Sequence, residues 1–260
     1  MSSLDFTSTA ELQKAVDHLE RFFDLKAIAA EEYGHKEVQK YFTDSNLGYN
    51  IVHSGEGSVH MAINYDEKYN IEGYYQQVKE IQEYIRPGDQ LLELGCGKGF
   101  NSEYLAERHP DARFTGIDLT KKHLEYAQKR AKTKTNLEFH RADYHQPPFE
   151  DATFDHIFVL EAACYSKTPD VLFREMLRVL KPGGRFILYE GFRKVQFEEL
   201  SELQKFAATL VEKTMAVNLG YDVDQWLRMA EQAGFEIEIE SDLSKYILPN
   251  LKRFHRLALR

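Results

Sequence analysis

The chain has 260 residues, of which 43% are hydrophobic and 29% are charged, and its formal net charge is -9 at pH 7. These values suit one α/β domain with an extension, and they argue against a disordered chain or a membrane protein. The negative charge also argues against a nucleic-acid partner, because affinity for phosphate backbones comes from clustered lysine and arginine.

The first residues lack the basic and apolar stretches of a secretory signal, and no apolar run approaches the about 20 residues of a membrane span. The two cysteines, Cys96 and Cys164, lie in or beside apolar runs, and no Cys/His spacing resembles a zinc site. We therefore expect a cytoplasmic protein with reduced thiols and without a metal.

The N-terminal part predicts helices followed by an irregular loop. Apolar residues recur at helical spacing from Leu12 to Phe23, with Thr9 as a candidate cap, and a second helical stretch lies around residues 37–42. Residues 44–73 are rich in Gly, Asn, Ser and Tyr and show little periodicity. We predict that this loop is a lid over a bound ligand, and a spacer loop packed on the outer helices is the alternative.

From residue 75 onward, apolar strand patterns such as QLLELGC and FDHIFVLEAACY alternate with helical patterns such as KKHLEYAQKRAK. This alternation implies parallel strands joined by crossover helices, and thus an α/β fold with a Rossmann-like, doubly wound sheet. We divide the chain into a helical extension and lid at residues 1–74 and a core at residues 75–260, with a helical insert at about 195–215. FEIEIES, which follows Gly234, predicts one further strand, and a helical pattern comes after it.

A glycine-rich turn follows the first strand of the core. The sequence ELGCGKG places Gly95, Gly97 and Gly99 before a helix, where glycine lets the backbone turn sharply and lie against a ligand. Dinucleotide sites have the spacing G-x-G-x-x-G, whereas here Phe100 stands at the position of the third glycine. Glu93 lies two residues before the first glycine, where a carboxylate attracts a cationic amine and repels a pyrophosphate.

Further acids follow the next two strands. Asp118, with Leu119 beside it, ends the strand FTGIDL, where a carboxylate can bind both hydroxyls of a ribose. Asp143 after the strand LEFHRA can accept a hydrogen bond from an adenine amino group, and Tyr144 either stacks on the purine or packs within the fold. A ligand with an amino-acid end, a ribose and an adenine but no phosphate is S-adenosylmethionine (SAM), which we predict as the cofactor.

These motifs resemble those of class I SAM-dependent methyltransferases. The similarity covers about residues 75–240 and rests on ELGCGKG, GIDL, RADYHQPPFEDATFD, LEAACY and EMLRVLKPGGRFILYE. The chain is most similar to small-molecule methyltransferases of the sterol C-methyltransferase and tocopherol methyltransferase kind, since Glu161-Ala-Ala-Cys-Tyr165 resembles a segment of the sterol enzymes. A class I core usually closes with an antiparallel strand pair, whereas only one such strand is predicted here.

The acceptor side of the site is predicted from the strand ends, because open α/β sheets bind ligands there. We predict catalytic roles for Glu161, Tyr165 and His60, with Glu161 also beside the cofactor. The residues predicted to contact the acceptor are Tyr49, His53, Tyr65 and Glu190.

The predicted function is transfer of a methyl group from SAM to a small, lipophilic or amphipathic acceptor. The sequence leaves C-, N- and O-methylation open. The alternatives are a non-catalytic SAM-binding module and an NAD-dependent oxidoreductase, although the glycine spacing and Glu93 argue against the latter. The sequence predicts no integral membrane contact, and it leaves peripheral membrane association and the oligomeric state open.

Overall fold

The structure is a computed structural model, and it describes residues 8–31, 53–218 and 220–258. Its centre is a sheet of five parallel strands in the order β3-β2-β1-β4-β5. The strands are β1 (Gln90–Leu94), β2 (Arg113–Asp118), β3 (Leu137–Arg141), β4 (Phe154–Leu160) and β5 (Leu180–Tyr189). The strand order reverses direction between β1 and β4, which is the point where open α/β sheets bind ligands at their carboxyl ends.

Helices cover both faces of this sheet and extend beyond it. In chain order they are α1 (Thr9–Leu19), α2 (Leu25–Ala30), α3 (Gln76–Ile81), α4 (Phe100–Arg108), α5 (Lys121–Ala131), α6 (Pro169–Val179), α7 (Glu202–Met215), α8 (Val223–Ala233) and α9 (Ser244–Ala258). Short 3-10 turns span Ile71–Tyr75, Gln82–Tyr84, Ala163–Tyr165 and Phe197–Glu199. This arrangement confirms the predicted Rossmann-like, doubly wound α/β fold.

Alternating side chains of the strands build one hydrophobic core on each face of the sheet. Leu91 and Phe158 pack in a core that includes Leu105 of α4, whereas Leu92 packs on the opposite face in a core that includes Trp226 of α8. Burial of each such side chain contributes about 1.5–3 kcal/mol. The two cores therefore hold the carboxyl ends of β1 and β4 in fixed positions.

The N-terminal helices pack on α7. Val16 of α1 and Leu25 of α2 form a small buried cluster with Leu210 of α7. The helix predicted around residues 37–42 lies outside the described residues. The division of the chain at residue 74 stays a prediction.

The strand predicted from FEIEIES is wrong, because residues 235–241 form no hydrogen-bonded strand. This segment approaches β5 through side chains: the rings of Phe235 and Phe186 are 5.7 Å apart, and Arg185 forms a 3.0 Å ion pair with Glu238. Alternating apolar and acidic residues favour a strand only where a neighbouring strand edge pairs with the backbone. Within the described residues no such pairing forms.

Within the described ranges, no helix combines the length and the apolar character needed to cross a membrane.

Candidate active site

The glycine-rich turn lies at the carboxyl end of β1, where the strand order reverses. Gly95, Gly97 and Gly99 have φ angles of 61°, 52° and 77°, a region that strains residues with a side chain. Gly95 also lies close to the end of β4, since an added Cβ would lie 2.4 Å from the Cβ of Ala162. The first turn of α4 begins at Phe100, so the N–H groups of this turn lie at the same end of the sheet.

Asp118 at the end of β2 braces this turn. Its Oδ2 accepts a hydrogen bond from the N–H of Gly97 over 2.8 Å, and its Oδ1 accepts one from Thr120 over 2.6 Å. Leu119 follows, and its carbonyl accepts a hydrogen bond from Nε of Arg141 over 3.2 Å. Each carboxylate oxygen can accept two hydrogen bonds, so Asp118 keeps acceptor capacity for ribose hydroxyls.

Glu93 is 2% exposed and is held by the start of α4. Its Oε2 accepts hydrogen bonds from Oγ and N–H of Ser102 over 2.5 and 3.2 Å, and its Oε1 accepts one from Nδ2 of Asn101 over 2.9 Å. Burial raises the pKa of Glu93 to about 7. Oε1 has a single donor among the described hydrogen bonds, which fits the approach of a cationic amine.

Asp143 and Tyr144 follow β3 and contact the segment after β4. Oδ1 of Asp143 lies 2.8 Å from Nδ1 of His145, whose Nε2 lies 2.7 Å from Oγ of Ser166. Ser166 is fully buried, so this Asp-His-Ser chain joins two loops and offers no open nucleophile. The hydroxyl of Tyr144 donates a hydrogen bond to the carbonyl of Ala162 over 3.2 Å, which favours a packing role for this ring.

Two acids lie at the carboxyl ends of β4 and β5. Glu161 has a φ of 51°, its N–H donates to the carbonyl of Tyr189 over 2.8 Å, and its Oε1 accepts the N–H of Met61 over 2.8 Å. Oε2 of Glu190 accepts the N–H of Cys164 over 2.9 Å. Loss of hydration raises the pKa of Glu161 to about 8 and that of Glu190 to about 7.

Both acids line one open cavity, whose wall next to them is mainly apolar. It brings together the predicted residues Glu161, Tyr165, Glu190, His53 and Tyr65 with the side chains of Val59, Met61, Met215, Val217 and Phe254. The ring of His53 packs 5.1 Å from that of Phe254, and burial lowers its pKa to about 3. Tyr65 is at the rim, with its hydroxyl donating to Glu80 over 2.6 Å.

The structure describes one of the two remaining predicted residues, and that residue lies outside this cavity. Tyr49 lies outside the described residues. His60 is 1% exposed and does not line the cavity: its Nδ1 lies 3.2 Å from the carbonyl of Met61 and its Nε2 lies 3.0 Å from Oδ1 of Asn101. In the described ranges, no group of three His, Cys, Asp or Glu residues could hold a metal ion.

The described part of the loop before the core lies over the glycine-rich turn. A Cβ added at Gly97 would lie 3.7 Å from Cγ2 of Val59, and one added at Gly57 would lie 3.5 Å from the Cβ of Lys98. The hydroxyl of Ser58, between these two contacts, is buried and has no hydrogen-bond partner. The loop is thus placed as a lid would be, and its opening stays a prediction.

Sequence reasoning missed Ser58, Asn101 and Met61. Met61 contributes its backbone N–H and carbonyl, and these groups are present whatever the side chain, so the sequence gives no signal for them. Asn101 is one of several polar residues in the first turn of α4. The unpaired hydroxyl of Ser58 becomes visible only once the loop is placed over the turn.

A parallel sheet with a glycine-rich turn at its reversal point and an acid at the end of the next strand is the arrangement of Rossmann-like folds, which include class I methyltransferases. Residues 92–188 match the family model described as a methyltransferase domain. Residues 92–188 thus carry the methyltransferase domain of this family, in which SAM is the methyl donor.

Two curated relatives illustrate the similarity in sequence. The sterol 24-C-methyltransferase of Kluyveromyces lactis is 29% identical over 168 residues, which cover 62% of this chain and 44% of the relative. Cycloartenol-C-24-methyltransferase 1 of Oryza sativa subsp. japonica is 27% identical over 259 residues, which cover 90% of this chain and 70% of the relative. The chain thus spans less than half the length of the first of these relatives.

Two solved structures illustrate the similarity in fold. The 4+2 cyclase SpnF has a TM-score of 0.73 and 23% identity, with 85% of this chain and 81% of that chain covered. Geranyl diphosphate C-methyltransferase from Streptomyces coelicolor A3(2), in complex with Mg²⁺, geranyl diphosphate and S-adenosyl-L-homocysteine, has a TM-score of 0.71 and 17% identity, with 87% and 88% covered. At these identities the likeness concerns the fold alone.

Proposed function

We propose that the chain transfers the methyl group of SAM to a small, lipophilic or amphipathic acceptor bound beside Glu161 and Glu190. One observation carries this proposal: two acids with raised pKa values lie at neighbouring strand ends in a mainly apolar wall, and Ala162, which follows the first of them, lies against Gly95 of the glycine-rich turn. A site of this kind can take up an apolar molecule and still provide a carboxylate where positive charge develops.

The residues of the site fit the chemistry of methyl transfer. SAM supplies a methyl group bonded to a positively charged sulfur. A nucleophilic atom of the acceptor bonds to the methyl carbon while the carbon–sulfur bond breaks, and the electron pair of that bond stays on the sulfur. The acceptor then releases a proton, which Glu161 or Glu190 can accept in its ionised form. The raised pKa values make both carboxylates stronger bases than exposed ones.

The names of the relatives support an apolar acceptor. Both sequence relatives are named for methylation at carbon 24 of sterol-type molecules, and one solved neighbour is named for methylation of geranyl diphosphate. The net charge of -9 opposes a nucleic-acid acceptor. We extend the proposal to action in the cytoplasm on a lipid-derived small molecule.

A methyl-transfer assay tests this function. The protein is incubated with SAM carrying a radioactive methyl group and with sterols, prenyl diphosphates, quinols, small amines, tRNA or a histone-like peptide. We expect label on at least one small molecule and its loss in the Glu161→Gln variant, whereas Glu138→Gln, which changes an exposed acid on β3, serves as the control. Strong labelling of tRNA or peptide without any labelled small molecule contradicts the proposal.

If the chain binds SAM and labels none of these acceptors, the non-catalytic SAM-binding module becomes the better account.

A further inference from the structure

A chain of hydrogen bonds leads from Glu93 into the loop that covers the glycine-rich turn. Oε1 of Glu93 accepts from Nδ2 of Asn101 over 2.9 Å, and Oδ1 of Asn101 lies 3.0 Å from Nε2 of His60. These three side chains are all buried. The chain therefore crosses from the end of β1, through α4, to a residue 33 positions before Glu93 without passing through solvent.

The orientation of Asn101 fixes the proton on His60. Because the amide nitrogen of Asn101 donates to a carboxylate, its oxygen faces His60, and His60 must carry a proton on Nε2 to complete the contact. The imidazole lies near the rings of Tyr74 and Phe100, with ring centres 6.3 Å away in both cases. Burial lowers the pKa of His60, whereas the acceptors at its two nitrogens, the carbonyl of Met61 and Oδ1 of Asn101, favour protonation of both.

We propose that His60 is a positioning residue for the cofactor: through Asn101 it holds the carboxylate of Glu93 in the orientation that receives the amine of SAM. This inference rests on the function proposed above. It replaces the catalytic role predicted for His60, since His60 does not line the cavity that contains Glu161 and Glu190. The covering loop thereby contributes to cofactor affinity through His60, whose side chain does not itself contact the cofactor.

Calorimetric titration with S-adenosylhomocysteine tests this role in binding alone. His60→Leu and Asn101→Ala each remove the contact, and we expect each to weaken binding about tenfold, as for loss of one hydrogen bond on a buried charged group. His60→Gln places an amide N–H within reach of Asn101 and should stay within about twofold of the wild type. The double variant should bind no more weakly than either single variant, because both act through one chain.

A matched control separates this role from a general effect of losing a buried histidine. His156 is also buried, pairs with Asp89 over 3.4 Å at the amino end of β4, and has no contact with Glu93. His156→Leu should therefore keep the wild-type affinity. Thermal unfolding checks each variant, and His60→Asn, which is too short to reach Asn101, replaces His60→Leu if the latter does not fold.

Three results overturn the inference: unchanged affinity in the folded variant that breaks the contact, failure of His60→Gln to restore binding, or additive losses in the double variant. A wild type that binds neither SAM nor S-adenosylhomocysteine overturns the proposed function itself, and the inference with it.

Discussion

The backbone N–H of Met61 donates a hydrogen bond to Oε1 of Glu161 over 2.8 Å, although the two residues are 100 positions apart. The carbonyl of Met61 is held in turn by Nε2 of Gln77 over 2.9 Å, so the donor has a fixed direction. Glu161 itself adopts a positive φ at the end of β4, which is a strained conformation for a residue with a side chain. The loop before the core thus contributes a backbone donor to the acid that we propose to act on the acceptor.

Replacing Glu161 with glutamine tests the carboxylate as a base. Glutamine has nearly the shape of the protonated acid but cannot accept a proton, so we expect kcat to fall at least about 100-fold. Binding of S-adenosylhomocysteine should change by less than about threefold, because Glu93, the glycine-rich turn and Asp118 are expected to supply most of the contacts with the cofactor. Initial rates at saturating SAM measure the effect, with Glu138→Gln as the control. A variant that keeps half the wild-type rate rules out this role.

The raised pKa values predict how stability depends on pH. Glu93 and Glu190 have pKa values of about 7 and Glu161 of about 8, against 4.5 for an unperturbed glutamate. Between these values the folded state binds protons that the unfolded state has released, so the free energy of unfolding falls as pH rises. This stabilisation is fully present below 4.5 and is lost as pH rises through 7 and 8.

Urea denaturation at pH 5.5 and pH 8.5 measures this dependence. Glu190→Gln carries no titratable group at that position, and we expect a smaller loss of stability between the two pH values than in the wild type. The exposed Glu138→Gln should show the wild-type loss. Equal pH dependence in all three proteins contradicts the prediction.

The sequence contained the fold because strand and helix patterns alternate from residue 75 onward and a glycine-rich turn follows the first strand. The position of Glu161 and Glu190 at the strand ends could also be predicted, since both directly follow apolar strand patterns. The hydrogen bond from the N–H of Met61 to Glu161 could not be predicted, because the position of a backbone donor depends on where the loop packs. The error at residues 235–241 has the same origin: an alternating pattern gives a candidate strand, and pairing depends on an edge elsewhere in the chain.

Alanine substitution at two glycines distinguishes the stability cost of backbone strain from that of close packing. Gly95 and Gly183 both have positive φ angles, of 61° and 78°, but only Gly95 has a neighbour in contact, Ala162. Gly183→Ala should cost about 1 kcal/mol from strain alone. Gly95→Ala adds the clash at 2.4 Å and should cost about 2 kcal/mol more, in the range of overpacking. Urea denaturation of both variants measures the difference, and equal losses contradict the described packing at Gly95.

Limited proteolysis tests whether the loop is a lid. Residues 53–73 include the contacts of Val59 and Gly57 with the glycine-rich turn, so a ligand that binds the closed form should stabilise it. We expect cleavage within this range to slow at least about fivefold in saturating S-adenosylhomocysteine. Cleavage after Lys132, in the exposed turn between α5 and β3, is the internal control. Equal rates in the covering loop with and without ligand support the spacer-loop alternative.

The central claim is that SAM binds at the carboxyl ends of β1 and β2, and calorimetric titration of SAM into the wild type and the Asp118→Ala variant tests it most directly. The account predicts about one SAM per chain, no binding of NADH, and a loss of about 1.5–3 kcal/mol in Asp118→Ala, as expected for hydrogen bonds to a charged group. Asp155→Ala is the control, because Asp155 accepts the N–H of Gln90 over 2.9 Å at the opposite end of the sheet. Absence of SAM binding to the wild type, or an Asp118→Ala affinity within about twofold of it, contradicts the account.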